Sequence, residues 1–406
     1  MPAAETGLGA TLAHGFGRVH WPLVRSGDLF ELKYGRALVE SSRRPGFIPV
    51  FGTNGQCGWH DTALFSGPGV VLGRKGQGPL GVEWVKGDYW VIDTAYSLER
   101  RRKDVDLKFA YYLIKYVGLN HLKDGTSNPT LGRDTFAAQL FPLPPLSQQL
   151  QIAHVLSLLD DKIDLNRRMN QTLEAMAQAL FRSWFVDFDP VRAKAEGRQP
   201  EGMDAETAAL FPNRFVESDL GNAPEEWPIK RLGDILELKR GYDLPSSQRV
   251  LGAVPVVSSS GPSGWHNEPK VPGPGIVTGR YGSIGEVFLV REDFWPLNTT
   301  LYVRDLKGNH LMYTYHLLQL LDFNKFSDKA AVPGINRNHL HEERLVAAPR
   351  TLQERFSDFA SPLLELAAKN TAQITTLAAL RDTLLPKLLS GEILIRDVES
   401  QLAATA

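Results

Sequence analysis

The sequence predicts an α+β fold: two mixed, strand-rich domains in tandem, each followed by a long helix, with the two helices pairing as an antiparallel coiled coil. Three observations predict it. The chain repeats itself after about 200 residues, and the front part of each repeat is rich in Gly, Pro and short β-branched runs. The back part of each repeat keeps the apolar spacing of about 3.5 residues that is typical of coiled coils.

The composition indicates an ordinary globular protein. At 406 residues, with 43% hydrophobic and 22% charged residues, the chain is long enough for two or three domains. No apolar run approaches the roughly 18 residues that span a bilayer, and no signal-peptide pattern opens the chain, so we expect a cytoplasmic protein without a membrane partner. The single cysteine, Cys57, excludes an internal disulfide and any Cys-rich metal site.

The repeat is visible at a constant offset of 206 residues. WPLVRSGDLFELKYG, from Trp21, is identical to WPIKRLGDILELKRG, from Trp227, at nine of fifteen positions. The same offset relates PVFGTNGQCGWH to PVVSSSGPSGWH, and GPGVVLGRKG to GPGIVTGRYG. The chain is therefore two copies of one long unit, not a solenoid of short repeats.

This duplication predicts where the domains begin and end. The front of each copy contains runs such as VVLGR and GIVTGR bounded by turn residues, which indicate short strands. Ser147 follows the prolines of PLPP and caps the predicted start of the first helix. The predicted segments, in order, are the first domain, the central helix, a linker, the second domain, the C-terminal helix and a tail: 1–145, 146–190, 191–220, 221–349, 350–395 and 396–406.

Each predicted helix carries an apolar seam. The seam residues are Ile152, Leu156, Leu159, Ile163, Leu173, Ala177, Leu180 and Trp184 in the first helix, and Phe356, Ala360, Leu363, Ala367, Ile374, Leu377, Leu384 and Leu388 in the second. Asn166, Asn170, Asn370 and Arg381 interrupt the seams. A buried Asn in a seam fixes register and partner, so we expect the three asparagines to set the pairing. The alternative is that each helix only caps its own domain, although forty residues make a rod of about 60 Å.

Motifs for known catalytic chemistry are absent from the sequence. There is no GxxxxGK[ST], HExxH or GxSxG, and no metal-ligand cluster. The Gly-rich segments GRKGQG, from Gly73, and GRYGSIG, from Gly279, precede no helical pattern, which favours tight strand connections over phosphate-binding loops. Asp160, Asp161 and Asp164 are interpreted as a solvated helix face rather than a carboxylate site. We expect a non-catalytic protein.

The sequence of the predicted central helix and its flanking segments resembles a known family. The run PLPPLSQQLQIAHVLSLLDDKIDLNRRMNQTLEAMAQALFRSWFVDFDPV, followed by ALFPNRFVESDLG and the restart Glu226-Trp227-Pro228, resembles the DNA-specificity subunit of type I restriction-modification systems. The resemblance covers nearly the whole chain. Its most specific parts are the start of the central helix and the exit FRSWFVDFDPV.

The resemblance implies a function and partners. Each strand-rich domain would be a target recognition domain that reads one half of a bipartite, asymmetric site in double-stranded DNA through the major groove, with the coiled coil as the ruler between the halves. Two modification subunits would methylate adenine, and two motor-nuclease restriction subunits would complete the complex. The specificity subunit would bind no cofactor itself, so S-adenosylmethionine, ATP and Mg would belong to the partners.

Candidate DNA-binding residues follow from comparing the two copies. Variable polar positions inside a shared frame are expected to contact bases, and shared cations to contact phosphates. For Arg74 and Arg280 the alternative is a structural salt bridge, and for Arg133 and Arg337 it is a solvated loop. For His60 and His266 a structural role is favoured over base reading. The candidates are Thr53, Asn54, Gln56, His60, Arg74, Lys75 and Arg133 in the first copy, and Ser258, Ser259, Ser260, His266, Arg280, Tyr281 and Arg337 in the second.

The low net charge bears on DNA binding, and composition alone leaves other classes of protein open. The formal charge of −1 predicts that the chain alone holds DNA weakly and that partner subunits supply phosphate contacts. A coiled-coil adaptor with two protein-binding domains would share the architecture, and so would a solitary specificity subunit without partners. A self-contained enzyme would need catalytic motifs that the sequence lacks.

Overall fold

The structure is a computed structural model, which describes residues 11–12, 19–326 and 334–395; the predicted tail over 396–406 lies outside the described residues. The chain divides into two compact units, Met1–Asn166 with Ala372–Ala406, and Arg167–Thr371. Each unit therefore contains one strand-rich domain and part of both long helices.

Besides a further three-stranded sheet and a two-stranded one, the first domain contains two main sheets, one of four strands and one of three. One is antiparallel, in the order β3-β9-β6-β7, and the other, β5-β4-β8, pairs β4 with β5 antiparallel and with β8 parallel. β12 pairs with both β1 and β2. The strands are β1 (Thr11–Leu12), β2 (Leu23–Arg25), β3 (Phe30–Tyr34), β4 (Ile48–Gly52), β5 (Gly55–His60), β6 (Gly69–Gly73), β7 (Val82–Val85), β8 (Trp90–Val91), β9 (Ala95–Arg100), β10 (Lys123–Asp124), β11 (Thr130–Leu131) and β12 (Gln139–Pro142).

One helix packs on the four-stranded sheet of the first domain and forms a hydrophobic core with it, and two short helices precede strands. α1 (Ser26–Leu29) precedes β3, α2 (Leu107–Val117) packs on β6 and β7, and α3 (Arg133–Ala137) precedes β12. The Asp106 carboxylate accepts a 2.7 Å hydrogen bond from the Phe109 N–H and so caps the start of α2. Gly118, with φ +71°, follows the last residue of this helix. Phe109 and Tyr112 of α2 are buried with Leu98 in the same core.

The second domain repeats this topology. Its four-stranded sheet has the order β16-β22-β19-β20, and its three-stranded sheet the order β18-β17-β21. The strands are β13 (Phe215–Ser218), β14 (Gly221–Pro224), β15 (Ile229–Arg231), β16 (Glu237–Arg240), β17 (Val254–Ser258), β18 (Gly261–His266), β19 (Gly275–Gly279), β20 (Val287–Val290), β21 (Trp295–Pro296), β22 (Thr300–Asp305) and β23 (Arg344–Val346). The remaining helices are α4 (Leu146–Phe185), α5 (Asp189–Ala195), α6 (Ala205–Ala209), α7 (Leu232–Ile235), α8 (Leu311–Gln319), α9 (Arg337–His341) and α10 (Arg350–Ser390).

Matching glutamines fasten the start of each long helix to its domain. Gln149 of α4 accepts a hydrogen bond from the Asp106 N–H, and Gln353 of α10 accepts one from the His310 N–H, each over 2.8 Å. Both glutamines are buried. The two contacts satisfy the backbone N–H groups of Asp106 and His310, which precede α2 and α8. They therefore fix where the long helices α4 and α10 begin on their domains.

The long helices pair antiparallel, as the seam predicts. In the first unit Asn166 donates to Gln373 over 2.7 Å and Arg381 donates to Asp160 over 2.8 Å, so the partner number falls as the residue number rises. Asp160 thus differs from our interpretation of a solvated face, because Tyr112 also donates to it over 2.8 Å. This carboxylate is a structural acceptor between helices.

Candidate nucleic-acid interface

Three separate segments meet at one edge of the four-stranded sheet in each domain. They are the end of the first sheet strand, the Gly-rich turn after β6 or β19, and the residues that lead into α3 or α9. In the first domain the Leu131 N–H donates to the Arg74 carbonyl over 2.7 Å. In the second domain the Ile335 N–H donates to the Arg280 carbonyl over 3.0 Å. The same backbone contact therefore joins turn and loop in both copies.

The first basic cluster consists of Arg74, Lys75 and Arg133 around Tyr34. The guanidinium groups of Arg74 and Arg133 lie over the Tyr34 ring, 4.8 and 4.7 Å from its centroid. Such cation–π contacts attract both guanidinium groups to the same aromatic ring. Tyr34 is 48% exposed, and Lys75 pairs with Asp93 over 3.0 Å. The cluster presents cations and an aromatic ring to solvent.

The second basic cluster consists of Lys239, Arg240, Arg280 and Arg337 and lines an open cavity of about 650 Å³. Asp243 is the acidic residue among the lining side chains. Arg280 lies 4.4 Å from the Tyr281 ring centroid, and Arg337 donates to the Leu238 carbonyl over 3.3 Å. Four cations against one carboxylate make this concave surface locally positive although the whole chain is nearly neutral.

A tyrosine pair borders the second cluster. The hydroxyl groups of Tyr242 and Tyr302 lie 3.0 Å apart. The hydrogen bond with Tyr302 lowers the pKa of Tyr242, and nearby Lys239 acts in the same direction. Burial raises the pKa of Tyr302.

The predicted hairpin residues lie beside the Gly-rich turns. Thr53 is half-buried and its hydroxyl donates to the Lys75 carbonyl over 2.8 Å, so it joins hairpin to turn. Asn54 is exposed in the turn between β4 and β5, and Gln56 is exposed near the start of β5. The Gln56 amide donates to the Gly58 carbonyl over 3.3 Å and the Thr53 hydroxyl is engaged by the turn, so Asn54 is the most available of the three side chains.

Two of the three serines in the second hairpin, Ser258 and Ser260, contact each other. The Ser258 hydroxyl donates to the Gly261 carbonyl over 2.9 Å and lies 3.2 Å from that of Ser260. Ser259 is half-buried, with its hydroxyl near Gly282 of the Gly-rich turn. The polar groups at the tip of the second hairpin therefore contact one another, and they are shorter than the side chains of Asn54 and Gln56.

Both histidines of the Gly-Trp-His motif have structural contacts. His60 and His266 are buried, and their Nδ1 atoms accept backbone N–H bonds from Arg44 over 3.0 Å and Val250 over 3.1 Å. Each ring meets a tryptophan edge-on. These contacts explain why the motif recurs and support the structural alternative over base reading, because neither ring faces solvent.

Two features of this surface escaped the sequence prediction. Tyr34 and its counterpart Arg240 end the first sheet strand of their domains and belong to the basic clusters, although the repeat ELKYG and ELKRG already showed that they differ. Trp59 and Trp265, next to the buried histidines, are 54% and 57% exposed. Gly-Trp-His thus combines one exposed and one buried ring.

The three predicted register asparagines all reach the partner helix. Asn166 is buried and donates to Gln373, and in the second unit Asn370 donates to Asn170 over 3.0 Å. Within the ranges that the structure describes, no group of three or more His, Cys, Asp or Glu side chains forms a metal site. The same residues include no helix with the length and apolarity to cross a bilayer.

Comparison with known proteins relates both domains to one family. The family model described as type I restriction modification DNA specificity domain matches residues 18–175 and again residues 224–376. The chain belongs to this family. The two matches confirm the predicted resemblance and the tandem arrangement of specificity domains.

Named relatives support the same assignment. The type I restriction enzyme MjaIX specificity subunit of Methanocaldococcus jannaschii is 28% identical over 320 residues, covering 72% of this chain and 70% of the relative. The HindI specificity subunit of Haemophilus influenzae is 25% identical over 330 residues, covering 65% and 71%. The crystal structure of the S subunit of a type I restriction-modification system from M. genitalium shares the fold, with a TM-score of 0.64, 18% identity, and coverage of 91% and 96%. The specificity-domain family and these relatives indicate no catalytic enzyme family.

Proposed function

We propose that the chain reads a bipartite, asymmetric site in double-stranded DNA, one half with each domain, and directs methylation or cleavage by partner subunits. The observation that carries the proposal is the basic cluster at the same sheet edge in both domains. A protein with one function for both copies would keep the same side chains there. Here the frame is shared while several exposed side chains differ, as two different half-sites require.

The shared cations suit the DNA backbone. Arg74 and Arg280 occupy matching positions, as do Arg133 and Arg337, and the contacts of these guanidinium groups within the described residues are with carbonyl groups and aromatic rings rather than salt bridges to carboxylates. Guanidinium groups without a carboxylate bind phosphate readily, often through two parallel hydrogen bonds. We assign these four arginines to backbone contacts that position each domain on the duplex.

The differing side chains suit bases. Asn54 and Gln56 carry amides, which pair with adenine in the major groove, while the second hairpin carries only short hydroxyl groups. Lys75 and Tyr281 differ at one matched position of the Gly-rich turn. These differences support separate half-sites, and the bases that they read stay a prediction.

Partner subunits complete the proposed activity. A near-neutral chain with two local basic clusters holds few phosphates, so the grip on DNA must come largely from two modification subunits. Two restriction subunits would join the same assembly for cleavage. S-adenosylmethionine, ATP and Mg would be bound by those partners, with this chain as the non-catalytic reader.

The proposal is tested by selection from randomised duplexes with the purified complex of this chain and its cognate modification subunit. We expect enrichment of two short conserved blocks separated by a spacer of constant length and free sequence. The variant R133A/R337A should bind every sequence more weakly and lower the slope of log affinity against log salt by about 2, one per lost phosphate contact.

The matched control is R102A. Arg102 is exposed, pairs with Asp104 and lies outside both clusters, so its loss should change neither motif nor salt slope. A soluble complex that enriches no motif would overturn the proposal and favour the adaptor with two protein-binding domains. Tight, steeply salt-dependent binding by the isolated chain would contradict the assigned role of the partners.

A further inference from the structure

Comparing the two basic clusters position by position shows that an aromatic and a cationic side chain change places. At the end of the first sheet strand, Tyr34 in the first domain is matched by Arg240 in the second. One residue into the Gly-rich turn, Lys75 is matched by Tyr281. Both positions border the cluster in each domain, so the exchange alters the exposed chemistry without altering the frame.

Neighbouring residues have adjusted to the exchange on the turn. Lys75 pairs with Asp93, whereas the residue that matches Asp93 in the second domain is Asn298, an uncharged amide that donates to Asp243. The loop residue opposite the turn is Thr130 in the first domain and Gly334 in the second. A Cβ at Gly334 would lie 2.3 Å from Cε1 of Tyr281, so the aromatic ring needs a glycine there.

On the strand, the exchange exposes a guanidinium group in the second domain. The side chain of Arg240 is 53% exposed, and its nearest carboxylate, Asp243, lies at 3.9 Å and accepts a hydrogen bond from Asn298. Arg240 therefore keeps most of its donors for a ligand in the cavity that it lines. Tyr34, by contrast, lies under two arginines and offers a single hydroxyl group.

We infer that Arg240 is a specificity-determining residue that reads a guanine in the half-site of the second domain. The inference rests on the proposed function. A guanidinium fork can donate two parallel hydrogen bonds to guanine O6 and N7, which no other base offers as a pair of acceptors. Tyr34 cannot make this contact, so the first domain should not read a guanine with its matching position.

The test compares the wild-type complex with its R240A and R240K variants, each bound to the modification subunit, by selection from randomised duplexes. R240A should lower the preference for guanine at one position of one half-site roughly 10- to 100-fold and leave the other half unchanged. R240K should lose most of the same preference, because an ammonium group cannot form the bidentate contact. R198A, an exposed arginine paired with Glu196, is the control and should keep the motif.

The outcomes separate the inference from the proposed function. If R240A and R240K weaken all sequences equally and the motif persists, Arg240 contacts the backbone and the inference fails while the proposed function stands. The inference also fails if the motif contains no guanine that responds to either variant. If the wild-type complex selects no split motif, the proposed function fails and the inference fails with it. Thermal unfolding of each variant checks that the fold is intact.

Discussion

Nδ2 of Asn370 donates a 3.0 Å hydrogen bond to Oδ1 of Asn170 across the paired long helices, and Nδ2 of Asn170 donates in turn to the Thr371 hydroxyl over 3.0 Å. The two side-chain amides thus face each other within the apolar seam between α4 and α10. A polar pair of this kind stabilises one alignment of the helices more than any shifted one.

Removing one member of this pair should cost more than removing both. N370L leaves Oδ1 of Asn170 without its donor and should lower the free energy of unfolding by about 1–2 kcal/mol. N170L/N370L should recover part of that loss, because two leucines pack together. Urea unfolding of the four proteins of this double-mutant cycle measures the coupling. Additive losses would show that the two asparagines do not act as a pair.

The ion pair between Asp160 and Arg381 predicts a larger effect than the surface pairs. Both side chains are about three-quarters buried, and Tyr112 donates to the same carboxylate. R381M should lower the free energy of unfolding by about 1–3 kcal/mol, because the mostly buried Asp160 carboxylate loses a charged hydrogen-bond donor. K86A removes the exposed pair with Asp161 and should cost less than about 0.5 kcal/mol. Equal losses in the two variants would contradict this assignment.

His316 predicts a pH dependence of stability. It is buried beside Phe181 and Phe356, and burial lowers its pKa to about 4. An unfolded histidine titrates near pH 6.5, so between pH 6.5 and 4 the unfolded state binds more protons than the folded state. The free energy of unfolding therefore decreases as the pH is lowered through this window, by up to about 3 kcal/mol in total. Above pH 6.5 this contribution is constant. Thermal unfolding across that range measures it.

The control for this window is H316F, which keeps a ring in the cavity and removes the titration. Its stability should fall less steeply between pH 6.5 and 4. Some slope should remain, since burial also lowers the pKa of His310 and His341. If wild type and H316F show parallel profiles, His316 does not titrate as its burial requires.

Gly334 predicts an effect confined to one domain. G334A places a methyl group against the Tyr281 ring and should displace it, which changes the motif read by the second domain only. T130A at the matching position meets no aromatic ring and should leave binding unchanged. Selection from randomised duplexes with each complex compares them. A change in both half-sites, or in neither, would contradict the separation of the two readers.

Much of this fold is predictable because its signals are local. The seam from Ile152 to Trp184 and the absence of Gly and Pro there predict a helix that the structure places at Leu146–Phe185. The duplication turns each weak strand signal into a repeated one, which is why a strand-rich domain is predictable in both halves, although the sequence does not predict how its strands divide into sheets. The three seam asparagines were found for the same reason, since periodicity alone marks positions that face the partner helix.

Contacts between distant residues were not predictable. Tyr34 and Arg133 meet because the end of β3 and the start of α3 converge beside the Gly-rich turn, and no local pattern encodes that convergence. Asp160 was interpreted as solvated because its helix position alone does not reveal Tyr112 or Arg381. The parallel pairing of β4 with β8 likewise depends on tertiary packing.

The central claim, that two domains read two different half-sites for partner subunits, is tested most directly by methylome sequencing. A host that expresses this chain with its cognate modification subunit is compared with the same host lacking this chain. We predict a split motif with methyladenine in both halves that is present only when the chain is expressed. If the chain is soluble and bound to the modification subunit and no new motif appears, the assignment of one half-site to each domain is wrong.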